Sequence, residues 1–291
     1  MDLTDRRAVE DLISDRKPDH VVLAAAKVGG IQANISDPVD FLVQNLNIAV
    51  NVIHSCLRSG VRNLLYIGSS CMYPRDYKTP LKEEYILAAP LEPTNEGYAL
   101  AKIVGARLCE YYNRQYATNY KTLIPCNLYG PGDKFGPASS HLVAAVIDKV
   151  HRAKLSGERT VVVWGDGAAR REFLYVDDLA DYVCHCLPRL DELPTYLNVG
   201  CGRDHSVLDY YKMAAEVIGF SGGFVFDTSK PTGTHVKLLD SSLAHRHGWS
   251  PMTTPREGIE KTYQYYLDHV TCESGEATAP SDKESSERCI L

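Results

Sequence analysis

Apolar residues in this chain fall into short continuous runs separated by longer stretches with helical spacing. HVVLAAA (20–26) and NLLYIGSS (63–70) are the runs expected of strands buried on both faces, and KTLIPCNLYGPGD (121–133) is a strand breaking into a Gly/Pro turn. Before the first strand, Ala8, Leu12 and Ile13 recur at helical spacing until Pro18, with Thr4 as the expected N-cap. VGGIQANISDP and CMYPRDYKTPLKEE read as loops. Residues 38–58 predict a long helix whose apolar positions (Phe41, Leu42, Leu46, Ile48, Val50, Val52, Ile53, Leu57) run nearly all the way round. Such a helix is buried on more than one side, which suggests an oligomer interface. A second helix is expected from 96 to 115. Buried strands alternating with helices every ~30 to 40 residues predict right-handed βαβ units and a parallel sheet.

After residue 137 the pattern changes. A helix (141–153), a strand (160–165), the segment REFLYVDDLADYVCHCL, a strand and turn (196–202), a helix (207–218) and a last helix (256–268) follow. The fold class is therefore α/β: a doubly wound parallel sheet in residues 1–136, with a smaller α/β substrate domain in 137–270. Segments around 172–200 are expected to return to the first domain. Residues 271–291 are polar, Ser/Glu-rich and non-periodic, and are expected to be a disordered tail.

Composition narrows the function. The 291 residues carry 31 Lys plus Arg against 37 Asp plus Glu, a formal charge of −6, which argues against nucleic-acid binding by phosphate neutralisation. No run approaches the ~18 to 20 apolar residues of a membrane span, so no membrane partner is expected. The opening MDLTDRRAVEDLISDRKPD has no apolar core of a secretory signal. The nine cysteines are odd in number and scattered, as expected of reduced thiols in the cytoplasm. Alternate helical residues diverge, so Cys184-His185-Cys186 predicts no metal site.

Tyr98 and Lys102, in NEGYALAK, share a helix face. A nearby ammonium favours the phenolate and is expected to lower the phenol's pKa toward a working range. A Tyr and a Lys at this spacing are weak evidence alone. Upstream, however, a buried strand ends in Gly68-Ser69-Ser70-Cys71, at the sheet edge where open α/β folds bind ligands. A strand-end Ser followed by a helical Tyr-x-x-x-Lys resembles the short-chain dehydrogenase/reductase superfamily, which implies a triad of Ser69, Tyr98 and Lys102. Ser69 rather than Ser70 follows from family position.

The resemblance is closer than the superfamily. AAAKVGGI (24–31), GSSCMYP (68–74), EPTNEGYALAK (92–102), NLYGPGD (127–133), VVVWGDG (161–167), REFLYVDD (171–178) and SKPTGT (229–234) appear in that order. Together they are similar to the GDP-L-fucose synthase family over residues 2–268. That resemblance implies a Rossmann-type NADP-binding domain, NADP(H) as cofactor and a GDP-sugar substrate. It implies 3,5-epimerisation of a 4-keto sugar nucleotide, then 4-reduction. Cys71 and His141 match the family's acid–base pair, and a thiol and an imidazole both exchange protons near neutral pH. Nicotinamide contacts are implied for Ala24, Ala25, Ala26, Lys27, Ile67, Gly68, Ser69, Ser70, Tyr98, Lys102, Pro125, Cys126, Asn127, Leu128 and His141. Substrate contacts are implied for Lys149, Trp164, Arg171 and Lys237, with a buried-core role as the alternative for Trp164. Relatives also suggest a homodimer through helices 38–58 and 96–115. Thr232 stands where the family commonly has Asp, which leaves one substrate contact and the exact sugar open.

No G-x-x-G-x-x-G turn of the kind that holds a pyrophosphate occurs in the chain. Against the family pattern, Met1 falls after the second strand, so an opening βαβ of about 30 to 40 residues is expected to be missing. Its loss would leave two buried sheet edges and an exposed apolar face. An incomplete gene model, an alternative start and a paralogue that no longer reduces would each produce this pattern. The alternatives to the enzyme are a non-catalytic sugar-nucleotide-binding or dimerising paralogue and another extended reductase acting on nucleotide sugars.

Overall fold

The computed structural model describes residues 1–136, 140–230 and 234–273, with side chains to Thr271. Thr232 and the tail beyond Glu273 lie outside the described residues. In chain order the elements are α1 (Arg6–Arg16), β1 (His20–Leu23), α2 (Ile31–Ser36), α3 (Pro38–Arg58), β2 (Asn63–Ile67), α4 (Glu96–Tyr116), β3 (Asn119–Pro125) and β4 (Asn127–Tyr129). There follow α5 (Leu142–Ser156), β5 (Thr160–Trp164), β6 (Arg170–Arg171), β7 (Phe173–Tyr175), α6 (Val176–Cys186), β8 (Tyr196–Val199) and β9 (His205–Ser206). The chain continues through α7 (Val207–Ile218), β10 (Gly223–Asp227), β11 (Val236–Lys237), α8 (Ser242–Arg246) and α9 (Pro255–Glu273).

The main sheet has the order β1-β2-β3-β8 and every pairing in it is parallel. Its strands and the helices on them bury one core that includes Leu64, Leu65, Leu123, Ile124 and Leu197. A second core gathers α5, β5, α7 and α9 around Ile147, Val163, Tyr210 and Ile259. There β5 pairs with β10, and its side chains alternate: Val161 and Val163 point inward, Val162 and Trp164 outward. Sharp signals bound α7, with a Ser206/Asp209 capping box at its start and Gly219 in the left-handed region (φ 75°) at its end. Leu239, Ala244 and Trp249, from late in the chain, pack into the first core.

Several expectations need correction. The α1 cap is Asp5, whose carboxylate accepts from Arg7 and Ala8 N–H, because Thr4 is engaged with Asp2. The expected strand 20–26 ends at Leu23, and only Leu23 in it is buried, because β1 is an edge strand of the described sheet. The sheet is continuous, so the two interior edges expected from a lost central strand do not appear; it ends at β1 and at β8. The expected loop VGGIQANISDP (28–38) contains α2, where Asn34 Nδ2 ties back to the Gly29 and Gly30 carbonyls. The first three residues of the expected tail continue α9 to Glu273.

One carboxyl joins the parts. Glu172, between β6 and β7, is fully buried and accepts from Gly202 N at 2.7 Å and Leu239 N at 2.9 Å. Gly200 is required beside it, because a Cβ there would collide with Glu172 Oε1. Burial pushes this carboxyl up from 4.5 to about 7, with the backbone donors of Leu239, Gly202 and Cys201 opposing. A folded-state pKa above the unfolded one means the native state binds the extra proton between those values, so stability falls as pH rises from 4.5 to about 7. Urea unfolding across that window should show a slope, on the order of 3 kcal/mol in total, that Glu172→Gln removes. Parallel pH profiles for the two proteins would contradict it.

Candidate active site

The C-terminal edge of the main sheet carries the chemistry. After β2, Gly68 N donates to Leu123 O at 2.7 Å, which holds the turn against β3. Ser69 follows in extended conformation, and its hydroxyl accepts from Cys71 N at 3.2 Å and hydrogen-bonds Tyr98. Ser70 is buried beneath it. Lys102 lies one turn beyond Tyr98 on α4 and is buried. Its ammonium donates to Ile67 O at 2.7 Å and sits 4.9 Å from the Tyr66 ring centre and 5.9 Å from that of Tyr98. Gly105 leaves the space that the Tyr66 ring fills.

Burial governs this pair. It pulls the Lys102 ammonium from 10.5 down to about 8, with the Cys71 charge opposing. It pushes the Tyr98 phenol up, reinforced by Cys71 and opposed by the Ser69 hydrogen bond. The lowering expected from Lys102 does not appear: taking the phenolate out of water sets the direction, and the opposing contribution is the Ser69 hydrogen bond. Tyr98 therefore keeps its proton at neutral pH, the form that a proton donor requires.

Cys71 is half-buried in a 3-10 turn (Ser70–Met72). Asn95 Nδ2 donates to its sulfur at 3.2 Å, and Lys237 Nζ approaches it from β11 at 3.8 Å. Lys237, expected at the substrate, thus lies against the thiol. His141 is exposed at the N-cap of α5 and faces Asp133, whose carboxyl is raised by burial and lowered by the His141 charge. No described contact joins His141 to Cys71. The remaining nicotinamide candidates follow strand ends of the sheet: Ala24–Lys27 after β1, Ile67 closing β2, and Pro125, Cys126, Asn127 and Leu128 where β3 passes into β4.

A second cluster lies on the outer face of β5. Trp164 is 55% exposed, which excludes the core role, and Lys149 Nζ lies 4.9 Å from its ring centre. Lys230 Nζ lies 5.7 Å from the same ring. Burial draws the Lys149 ammonium down, against the charge of Asp148. Arg171 donates to Arg170 O at 2.8 Å, and burial draws its guanidinium down against the charge of Glu92. Sequence reasoning missed Asn95, Glu172 and Lys230. Asn95 had a signal, since it lies one helical turn before Tyr98 in the same motif.

Residues 1–200 match the family model described as NAD dependent epimerase/dehydratase family. The chain belongs to that family. It is 49% identical over 267 residues to a GDP-L-fucose synthase from Azorhizobium caulinodans, covering 92% of this chain and 86% of that protein. A GDP-L-colitose synthase from Yersinia pseudotuberculosis is 46% identical, covering 92% and 87%. Among solved structures, a GDP-mannoheptose C4 reductase from Campylobacter jejuni with NADP bound superposes with a TM-score of 0.84 at 36% identity, covering 92% of this chain and 87% of that one. For this member of the epimerase/dehydratase family, iodoacetamide near neutral pH should label Cys71. Cys56, Cys109 and Cys201, each pushed up to about 12 by burial, should stay unlabelled. Peptide mapping by mass spectrometry reads the difference, and labelling of Cys56 ahead of Cys71 would contradict this account of the site.

Proposed function

We propose that the chain converts a GDP-linked 4-keto-6-deoxymannose to GDP-L-fucose by 3,5-epimerisation and NADPH-dependent 4-reduction. The observation that carries the reading is a half-buried thiol set beside a Ser69–Tyr98–Lys102 reductase triad. A ketone reduction alone needs the triad; a second acid–base group beside it suits inversion at carbons next to the ketone. The likeness to the GDP-L-fucose synthase supports the same activity.

In this mechanism Cys71 takes a proton from the carbon next to the C4 ketone, and His141 returns one on the opposite face. Ser69 holds the C4 oxygen, and Tyr98, kept protonated by burial, gives that oxygen its proton. The nicotinamide end of NADP(H) suits the residues at the sheet edge: an ammonium has three N–H donors. The one described acceptor of Lys102 is Ile67 O, which leaves donors for ribose hydroxyls. When bound, NADPH supplies hydride to C4. The strand-end residues Ala24–Lys27, Ile67–Ser70 and Pro125–Leu128 would line that end of the cofactor. No described residue is assigned to the pyrophosphate. Lys149, Arg171 and Trp164 would hold the GDP group, by charge on the diphosphate and by stacking on the base.

The assembly we propose is a homodimer through α3 and α4. Val39, Val43 and Val50 on α3 and Leu100, Val104 and Tyr111 on α4 are exposed, each set at i, i+4, i+11. The compartment we propose is the cytoplasm; no helix among the described residues is long and apolar enough to cross a membrane. A cofactor domain (1–136) to which segments around 172–200 return, and a substrate domain in the rest of 137–270, suit the two cores, with Leu239, Ala244 and Trp249 as a further return to the first.

Cys71→Ser should cut epimerisation, read as solvent-deuterium incorporation, by at least about a hundredfold while sparing reduction of a pre-epimerised ketone. Equal loss of both steps would contradict the roles assigned. Trp164 and Trp249 are the two tryptophans, exposed and buried respectively. In Trp249→Phe, GDP should therefore quench the remaining fluorescence, and an unchanged signal at saturating GDP would remove Trp164 from the site. Leu100→Glu with Val104→Glu should convert the sedimentation profile from dimer to monomer.

A further inference from the structure

Asn95 occupies the N-cap of α4, a position where an asparagine side-chain oxygen ordinarily accepts from the first backbone N–H groups of the helix. Here it makes no such bond. Its Nδ2 instead donates to Cys71 Sγ at 3.2 Å, and its Oδ1 is buried with no hydrogen-bond partner among the described residues. Buried polar atoms are rarely left unpaired, and this one belongs to an amide already committed to the sulfur. The two ends of an amide exchange places by half a turn of the side chain, and no hydrogen bond to Oδ1 resists that turn.

We propose that Asn95 is the positioning residue that holds the Cys71 sulfur in both of its protonation states. Its N–H donates to the thiolate; after the half turn, its oxygen accepts from the thiol. The inference rests on Cys71 acting as the base of the proposed function. In that step the thiolate takes a proton from the carbon beside the ketone, the C–H electron pair moves into the enolate, and S–H forms with no change of oxidation state. The sulfur therefore alternates between acceptor and donor in each turnover. An amide serves both forms, whereas an ammonium serves only the first.

The other charged or titratable groups described as acting on Cys71 are Lys237 from β11 and Tyr98 and Lys102 from α4. The two ammonium groups only donate, so neither accepts from the thiol; the Tyr98 hydroxyl, which can do both, is hydrogen-bonded to Ser69 and is assigned to the C4 oxygen. Asn95 precedes Tyr98 by one turn, so α4 aligns the groups for both reactions on one rigid element.

The test compares the full-length protein with Asn95→Leu, which removes both polar ends, and Asn95→Asp, which keeps the size but loses the N–H when ionised. Three readouts are taken: iodoacetamide labelling of Cys71 without substrate, solvent-deuterium incorporation into the 4-keto sugar, and reduction of a pre-epimerised ketone. Labelling and deuterium incorporation should each slow by about tenfold or more, the latter in kcat with KM little changed, while reduction stays within about twofold. Labelling and incorporation at wild-type rates would overturn the inference, as would an equal fall in reduction. If the Leu variant does not fold, the Asp variant decides by the same measures. A wild-type protein that incorporates no deuterium, yet whose labelling slows in Asn95→Asp, would overturn the proposed function while supporting the Asn95–Cys71 pairing.

Discussion

The buried carboxyl of Glu172 is the contact on which the arrangement of the site depends. It accepts from Leu239 N, two residues beyond the Lys237 whose ammonium approaches Cys71, and from Gly202 N, just past β8 of the main sheet. One side chain thus fixes the strand that supplies Lys237 relative to the sheet edge that supplies Cys71. Asn198 reinforces the same junction by donating to Leu81 O and Asp240 O, while its own oxygen accepts from Tyr73 OH at 2.6 Å. A buried acid ringed by backbone donors specifies one geometry, because each donor would be costly to leave unpaired.

Burial also decides the chemistry at the sheet edge. In water a lysine ammonium and a tyrosine phenol hold their protons almost equally, at 10.5 and 10.0. Taken out of water, the ammonium becomes easier to deprotonate and the phenol harder. The result is a protonated phenol held by a serine, beside a cation tied to a strand-end carbonyl. The same low-dielectric setting raises the value of each hydrogen bond at the Cys71 sulfur.

The second cluster follows a different rule. β5 pairs with β10 in a sheet whose outer face the described residues leave open, so the alternation of its side chains presents Trp164 to solvent. Lys149 and Lys230 flank the indole, from α5 and from just beyond β10. An exposed aromatic ring between two cations suits a ligand that is planar at one end and anionic at the other.

Local periodicity was enough to locate α3, α4, α5 and α7 and the strands of the main sheet, because 3.6-residue spacing and short apolar runs are properties of neighbouring residues. The motif around Tyr98 and Lys102 was legible for the same reason, since both lie within one helical turn. Contacts between distant segments were not. Asn95 and Lys237 reach Cys71 from 24 and 166 residues away, and Glu172 clamps strands whose pairing no local pattern encodes. Whether an apolar run is central or at an edge, as for β1, depends on which strand lies beside it. Whether Trp164 is core or surface depends on which face of β5 the neighbouring helices cover. The sequence by itself determined the elements and the kind of chemistry they carry. Only the tertiary structure decided which groups are taken out of water together, and burial in company is what sets their proton affinities.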